Sequence, residues 1–245
     1  MRKPNGKPPE SIDGESHTVV NSEPLICPVA QPVCQYLDEV SDLRSRLSEM
    51  SHQLNTDPLT DVFNYRYFVK ALGAEMERTV RTGQPTALLM IDLDHFKNVN
   101  DTWGHEVGNK TLVQTATLMK NSVRKLDIPC RYGGEEFALV LPSTDLLTAV
   151  KVAERIREQI ASTPIVLEGK ELIVTASFGL DVLNPGQNET VEGFVQRADH
   201  HLYRAKKEGR NRVCHAVIET VDDASVTFEE KDLLFSLISG DSEAE

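Results

Sequence analysis

The stretch "CRYGGEEFALV", residues 130–140, places Gly133, Gly134, Glu135 and Glu136 between two apolar runs. "PCRY" before it and "FALVLP" after it read as strands, so the segment predicts a β-hairpin. Hairpin turns ask for Gly or Asn, and they do not ask for carboxylates. Taken alone, the segment describes an ordinary exposed turn.

About forty residues upstream, "TALLMID" is a continuous apolar run that suits a strand buried on both faces. It leads into "DLDHFKNVND", where Asp92 and Asp94 would share a face if the strand continued. The strand is expected to end near Asp92, with the backbone carbonyl of Leu93 beside its carboxylate. A neighbouring strand lies only ~5 Å away, so the hairpin can bring Glu135 and Glu136 to the same end of the sheet. Carboxylates from distant sequence can then share one hard cation. Mg²⁺ takes oxygen ligands and combines one or two carboxylates with substrate phosphates. Glycines without a Cβ would adopt positive φ and let phosphate oxygens approach backbone amides.

Around these strands the periodicity predicts helices over 65–81, 108–124, 145–160 and 191–207, a strand "ELIVTASFGL" and a last strand "RVCHAV". That order gives an α+β fold: a mostly antiparallel central sheet with the hairpin at its centre, surrounding helices and ferredoxin-like character.

The flanks are of different composition. Residues 1–33 are rich in Pro, Ser, Asn and Gly and read as a flexible arm. In 34–56, Tyr36, Val40, Leu43, Leu47, Met50 and Leu54 alternate steps of four and three, the seam of a coiled coil. Such a stalk would make the chain a homodimer; the alternative is one amphipathic helix packed on its own domain. Pro58 in "TDPLTD" breaks the helix, and the folded domain is expected over 57–217. Residues 218–245 form an acidic tail whose apolar patch "LLFSLI" is a candidate docking element.

Composition excludes several classes. A formal net charge of -12 argues against general nucleic-acid binding, which needs clustered Lys and Arg. Four cysteines at irregular spacing, Cys27, Cys34, Cys130 and Cys214, give neither a zinc motif nor a disulfide framework. No signal-peptide pattern or membrane-length apolar run is present, so a cytoplasmic protein is expected.

Five motifs in order, "DPLTD", "IDLDHFKNVNDTWGH", "RYGGEEFALVLP", "VTASFGL" and "ADHHLYRAKKEGRNRV", resemble the GGDEF domain of diguanylate cyclases. The resemblance implies a palm-like nucleotidyl-cyclase fold. It also implies condensation of two GTP into cyclic di-GMP and pyrophosphate, by a homodimer with one GTP per half-site. The family's setting is bacterial second-messenger signalling that controls biofilm and motility.

By the same resemblance Asp92, the Leu93 carbonyl and Glu135 bind Mg²⁺, with Mn²⁺ as substitute, and Glu135 and Glu136 are the catalytic carboxylates. Gly133, Gly134, Lys97, Lys206 and Arg210 are expected at the triphosphate; for Lys206 and Arg210 a solvated helix end is the alternative. Asn100, His105 and Asn109 match the guanine pocket. Asn109 departs from the usual Asp. An amide offers one acceptor and one donor, which weakens recognition of guanine N1–H and the discrimination against ATP, with GTP still the expected substrate. "RKLD" fits the RxxD pattern of product-inhibited members, so Arg124, Asp127 and Arg155 are expected to bind cyclic di-GMP; a surface salt bridge is the alternative.

Two other classes compete with an active cyclase: a silent GTP or cyclic di-GMP effector, and a platform whose stalk or tail docks a small regulatory protein. No phosphoreceiver, PAS or transmembrane sensor is read ahead of the domain, which favours activation through such a partner.

Overall fold

In the computed structural model, which describes residues 37–167 and 170–216, the run at 86–93 is buried along its whole length. The elements are α1 (Leu37–Asn55), α2 (Tyr65–Thr82), β1 (Thr86–Leu93), α3 (Phe96–Trp103), α4 (His105–Asn121), β2 (Ile128–Gly133), β3 (Glu136–Leu141), α5 (Leu146–Ser162), β4 (Ile165–Leu167), β5 (Lys170–Leu172), β6 (Ala176–Leu183), α6 (Val191–Lys207) and β7 (Val213–His215). The main sheet has the order β2-β3-β1-β6-β7. β1 pairs antiparallel with β3 and β6, and only β7 is parallel to its neighbour. Strands β2, β3, β1 and β6 with their connecting helices form the split βαβ arrangement.

Alternation along β1 sorts the core into two layers. Leu89, Ile91 and Leu93 pack with Phe137 and Leu139 against α4 and α5, through Leu112, Ala116, Met119 and Ile156. Leu88 and Met90 pack with Ala138 and Val140 against α2 and α6, through Phe68, Leu72, Phe194 and Leu202. Asp92 and Glu136 continue the second series, so the sheet directs both carboxylates toward the α6 side.

The structure corrects the sequence reading in four places. The hairpin β2–β3 is not central, because β2 is an edge strand and β1 takes the middle. The run "ELIVTASFGL" is two strands: β5 pairs with β4 in a separate ribbon, while β6 pairs with β1, so the halves have different partners. The stretch 96–103 is a short helix whose Asn, Asp and Val have poor propensity; burial of Phe96 and Val99 holds it. Finally, α4 starts at His105 rather than near 108.

The chain divides into two units, the first ending at His52 and the second beginning at Gln53. In the first, α1 carries an Asp42–Arg46 ion pair at 2.9 Å. The seam residues Val40, Leu43, Leu47 and Met50 are all exposed, Leu47 at 65%. Tyr36, the arm 1–33, Cys27, Cys34 and the tail 218–245 lie outside the described residues. Cys130 and Cys214 are buried free thiols. No helix among the described residues is long and apolar enough to cross a membrane.

Candidate active site

The end of β1 and the β2–β3 turn meet through backbone pairing. Asp92 stands opposite Glu136 on one side and Ser177 on the other. Beyond that pair the Leu93 N–H donates to the Glu135 carbonyl at 3.4 Å. Glu135 therefore lies in the turn, Glu136 opens β3, and both come to the carboxylate of Asp92.

The two turn glycines differ. Gly134 has φ 50°, a left-handed conformation that favours glycine, whereas Gly133 does not share it. An ideal Cβ at either position meets no atom within 4 Å, so space is open on the turn. The expectation of positive φ thus holds for Gly134 alone; Gly133 closes β2 in strand conformation.

Lys206 reaches the same point from α6, with Nζ 2.8 Å from Asp92 Oδ2. A close crossing makes this reach possible. A Cβ at Gly179 of β6 would fall 2.1 Å from the Ala198 carbonyl and 2.2 Å from the Leu202 nitrogen, so α6 lies directly on the strand. Lys206 is one turn beyond Leu202. Burial raises the pKa of Asp92; the Lys206 ammonium opposes the shift, and Glu135 and Asp94 add to it. Glu136 is raised by burial and by Asp92, again against Lys206.

The oxygen-only donor set of Asp92, Glu135 and the Leu93 carbonyl, with mutually repelling carboxylates, fits a hard divalent cation. Among the described residues no group of three or more His, Cys, Asp or Glu could hold a metal. Phosphates and water would complete the shell.

Asp94 is otherwise engaged. Buried at 5% exposure, it accepts from Thr175 Oγ1 and Ser177 Oγ, each at 2.7 Å, and from the Asn211 N–H at 3.0 Å.

Lys97 is exposed in the first turn of α3, and Arg210 is exposed in the loop after α6 with φ 62°. His105 and Asn109 are exposed one turn apart on α4, and the side chain of Asn100 on α3 lies against Gly108 between them. The α3–α4 corner thus gathers the three positions read as a base pocket.

Arg124, Asp127 and Arg155 line one cavity of about 510 Å³. The Asp127 carboxylate accepts from the Arg124 backbone N–H at 2.7 Å. Arg155 Nη2 donates to the Ser122 carbonyl at 2.5 Å. Burial raises the pKa of Asp127, opposed by the Arg124 N–H and by the charges of Arg124 and Arg155.

Sequence reasoning missed Arg131. Its Nη1 donates to Asp57 Oδ1 at 3.0 Å and Oδ2 at 3.2 Å, while Nε and Nη2 donate to the Gly134 carbonyl at 3.1 and 2.9 Å. Its position inside "RYGG" was the only available signal.

The palm-like sheet, with carboxylates gathered where β1 meets the hairpin turn, defines a domain of the nucleotidyl-cyclase class. Residues 54–212 match the model of the family "Diguanylate cyclase, GGDEF domain", and the chain belongs to that family. It is 40% identical over 173 residues to the response regulator PleD of Caulobacter vibrioides, covering 70% of this chain and 38% of PleD. To the diguanylate cyclase DosC of Escherichia coli it is 36% identical over 173 residues, with 70% and 37% covered. The match therefore spans less than two fifths of these relatives. Among solved structures, the coiled coil and GGDEF domain of DgcB from Caulobacter crescentus, in complex with c-di-GMP, gives a TM-score of 0.68 at 31% identity, covering 73% of this chain and 94% of that one. Diguanylate cyclase SiaD in complex with its activator SiaC, from Pseudomonas aeruginosa, gives 0.63 at 39%, covering 74% and 72%.

Proposed function

We propose that this protein is a diguanylate cyclase that condenses two GTP into cyclic di-GMP and two pyrophosphates. The observation that carries the reading is the registration of Asp92 with Glu136 beside Glu135 and Lys206. Asp92, Glu135 and the Leu93 carbonyl would hold Mg²⁺, or Mn²⁺ in its place. The cation supplies charge neutralisation and a lowered pKa for the ribose 3′-hydroxyl.

Each half-site presents one GTP, and the 3′-oxygen of one attacks the α-phosphorus of the other. A P–O bond forms, the bond to pyrophosphate breaks, and the hydroxyl proton passes to Glu135 or water. The second, symmetrical step closes the ring. Glu136 supports the carboxylate at the turn. Lys97, Lys206 and Arg210 neutralise the triphosphate, while Asn100, His105 and Asn109 receive the base.

The two half-sites require two chains, and the exposed seam of α1 supports a homodimeric stalk. In this reading residues 1–33 are an arm, 34–56 the stalk, 57–217 the catalytic domain and 218–245 the tail. The cavity of Arg124, Asp127 and Arg155 is the site of feedback by cyclic di-GMP. A small regulatory protein acting at the stalk or tail would set the alignment of the half-sites, in cytoplasmic second-messenger signalling that controls biofilm and motility.

The test is incubation of the purified chain with Mg²⁺ and GTP, ATP or both, with products identified by mass. Cyclic di-GMP from GTP, lost in Glu135→Ala, is the expected outcome. An absence of dinucleotide across dimer-forming concentrations, with GTP bound, would replace the reading with that of a silent effector.

A further inference from the structure

Three consecutive residues after α6 have positive φ: Gly209 at 115°, Arg210 at 62° and Asn211 at 44°. Side-chain-bearing residues rarely adopt this conformation, and it persists where surrounding contacts over-determine it. Here the contacts are identifiable. The Arg210 N–H donates to the Ala205 carbonyl at 2.9 Å. The Asn211 N–H donates to Asp94 Oδ2 at 3.0 Å, and Asn211 Oδ1 accepts from Arg157 Nη1 at 3.0 Å. Past the loop, the Arg212 carbonyl accepts from the Phe178 N–H at 2.9 Å.

Both groups that grip Asn211 are themselves fixed. Asp94 is buried and tied to Ser177 of β6 and to Thr175 just before that strand. Arg157 Nε is bonded to Glu154 at 2.6 Å, on a helix packed against the sheet. Asp94 also follows Asp92 by two residues on the same chain end. One strand terminus thus carries the metal-side carboxylate and anchors the loop that presents Arg210.

We propose that Asp94 and Arg157 are positioning residues: by clamping Asn211 from two sides they hold Arg210 in place for the β- and γ-phosphates of the bound nucleotide. This rests on the reading of Arg210 as a triphosphate contact. The clamp acts through Arg210 and through no contact of its own with the nucleotide, so its loss affects only ligands that carry the outer phosphates.

The experiment uses the full chain with Mg²⁺ and two probes, the non-reactive α,β-methylene analogue of GTP and GMP, each titrated calorimetrically. Arg210→Ala is expected to weaken analogue binding roughly tenfold, the order of one charge-assisted hydrogen bond, and to leave GMP unchanged. Asp94→Asn and Arg157→Gln are each expected to weaken the analogue several-fold, on the order of a single hydrogen bond, and to spare GMP. In the Arg210→Ala background neither should have a further effect, as expected of residues acting as one unit. Equal losses with and without Arg210, or a matching loss for GMP, would overturn the clamp and leave Arg210 as a phosphate contact. An unchanged analogue affinity in Arg210→Ala would remove that contact and the proposal with it. Should Asp94→Asn fold poorly, Arg157→Gln, which reaches the loop from α5, decides alone.

Discussion

The guanidinium of Arg131 joins Asp57 to the β2–β3 turn: one edge holds the Asp57 carboxylate at 3.0 Å and the other the Gly134 carbonyl at 2.9 Å. Both side chains are under one fifth exposed. The segment entering the domain and the turn bearing Glu135 are therefore held by one planar group, a geometry that lysine cannot reproduce.

Arg131→Lys should lower stability by about 1–3 kcal/mol, the range for losing charge-assisted hydrogen bonds, and should reduce turnover. Urea denaturation checks the first and pyrophosphate release the second. The pH dependence has a defined sign. Burial tends to raise the Asp57 carboxyl, but bonds from Thr60 and Arg131 outweigh it and hold the group below its ordinary 3.8. Its stabilising contribution is thus present above the unfolded value and lost as pH falls through the folded one. The stability gap between wild type and Arg131→Lys should narrow as the medium is acidified below the ordinary carboxylate range.

Gly179→Ala should destabilise the fold by about 3 kcal/mol or more, because the new methyl meets helix backbone rather than a side chain that can move away. The shift of α6 also takes Lys206 from Asp92. Thermal unfolding, with turnover assayed below the transition, should show both losses. An unchanged melting temperature would count against the close crossing.

Asn109→Asp should raise the GTP-over-ATP ratio of kcat/KM by roughly tenfold to a hundredfold, the order of the cost of leaving a buried donor or acceptor unpaired. Competition assays with both nucleotides, read by product mass, measure it. No change in the ratio would show that the base does not meet this position.

Arg124→Ala should retain initial turnover and lose inhibition by added cyclic di-GMP, since Arg124 lines a cavity formed on α5 and the segment after α4. Progress curves of pyrophosphate release distinguish the two. Inhibition unchanged from wild type would dismiss this cavity as the feedback site.

Much of the fold was legible because local pattern and tertiary role agree. The unbroken apolar run of β1 needed cover on both faces, and the structure provides it with two helical layers. The Asn64, Asp145 and Thr190 side chains cap α2, α5 and α6 at the expected starts. Helix α3 was not legible, because its residues favour turns and only the burial of Phe96 and Val99 keeps it helical. The break between β5 and β6 was hidden for a related reason: a continuous β-forming run carries no sign that its halves will pair with different strands.

By itself the sequence determined the α+β class and the order of the longer helices and strands, and it nominated the carboxylates, glycines and cations of the candidate site, since each rests on residue type, period or motif spacing. Tertiary structure decided how those residues are connected. Sheet register set Asp92 opposite Glu136, and the crossing at Gly179 took Lys206 to Asp92. A hydrogen bond tied Asp94 to the Asn211 loop, and one guanidinium linked Asp57 to the β2–β3 turn. Such pairings join positions far apart in the chain, and distance in space is set by packing, which no local window of residues encodes.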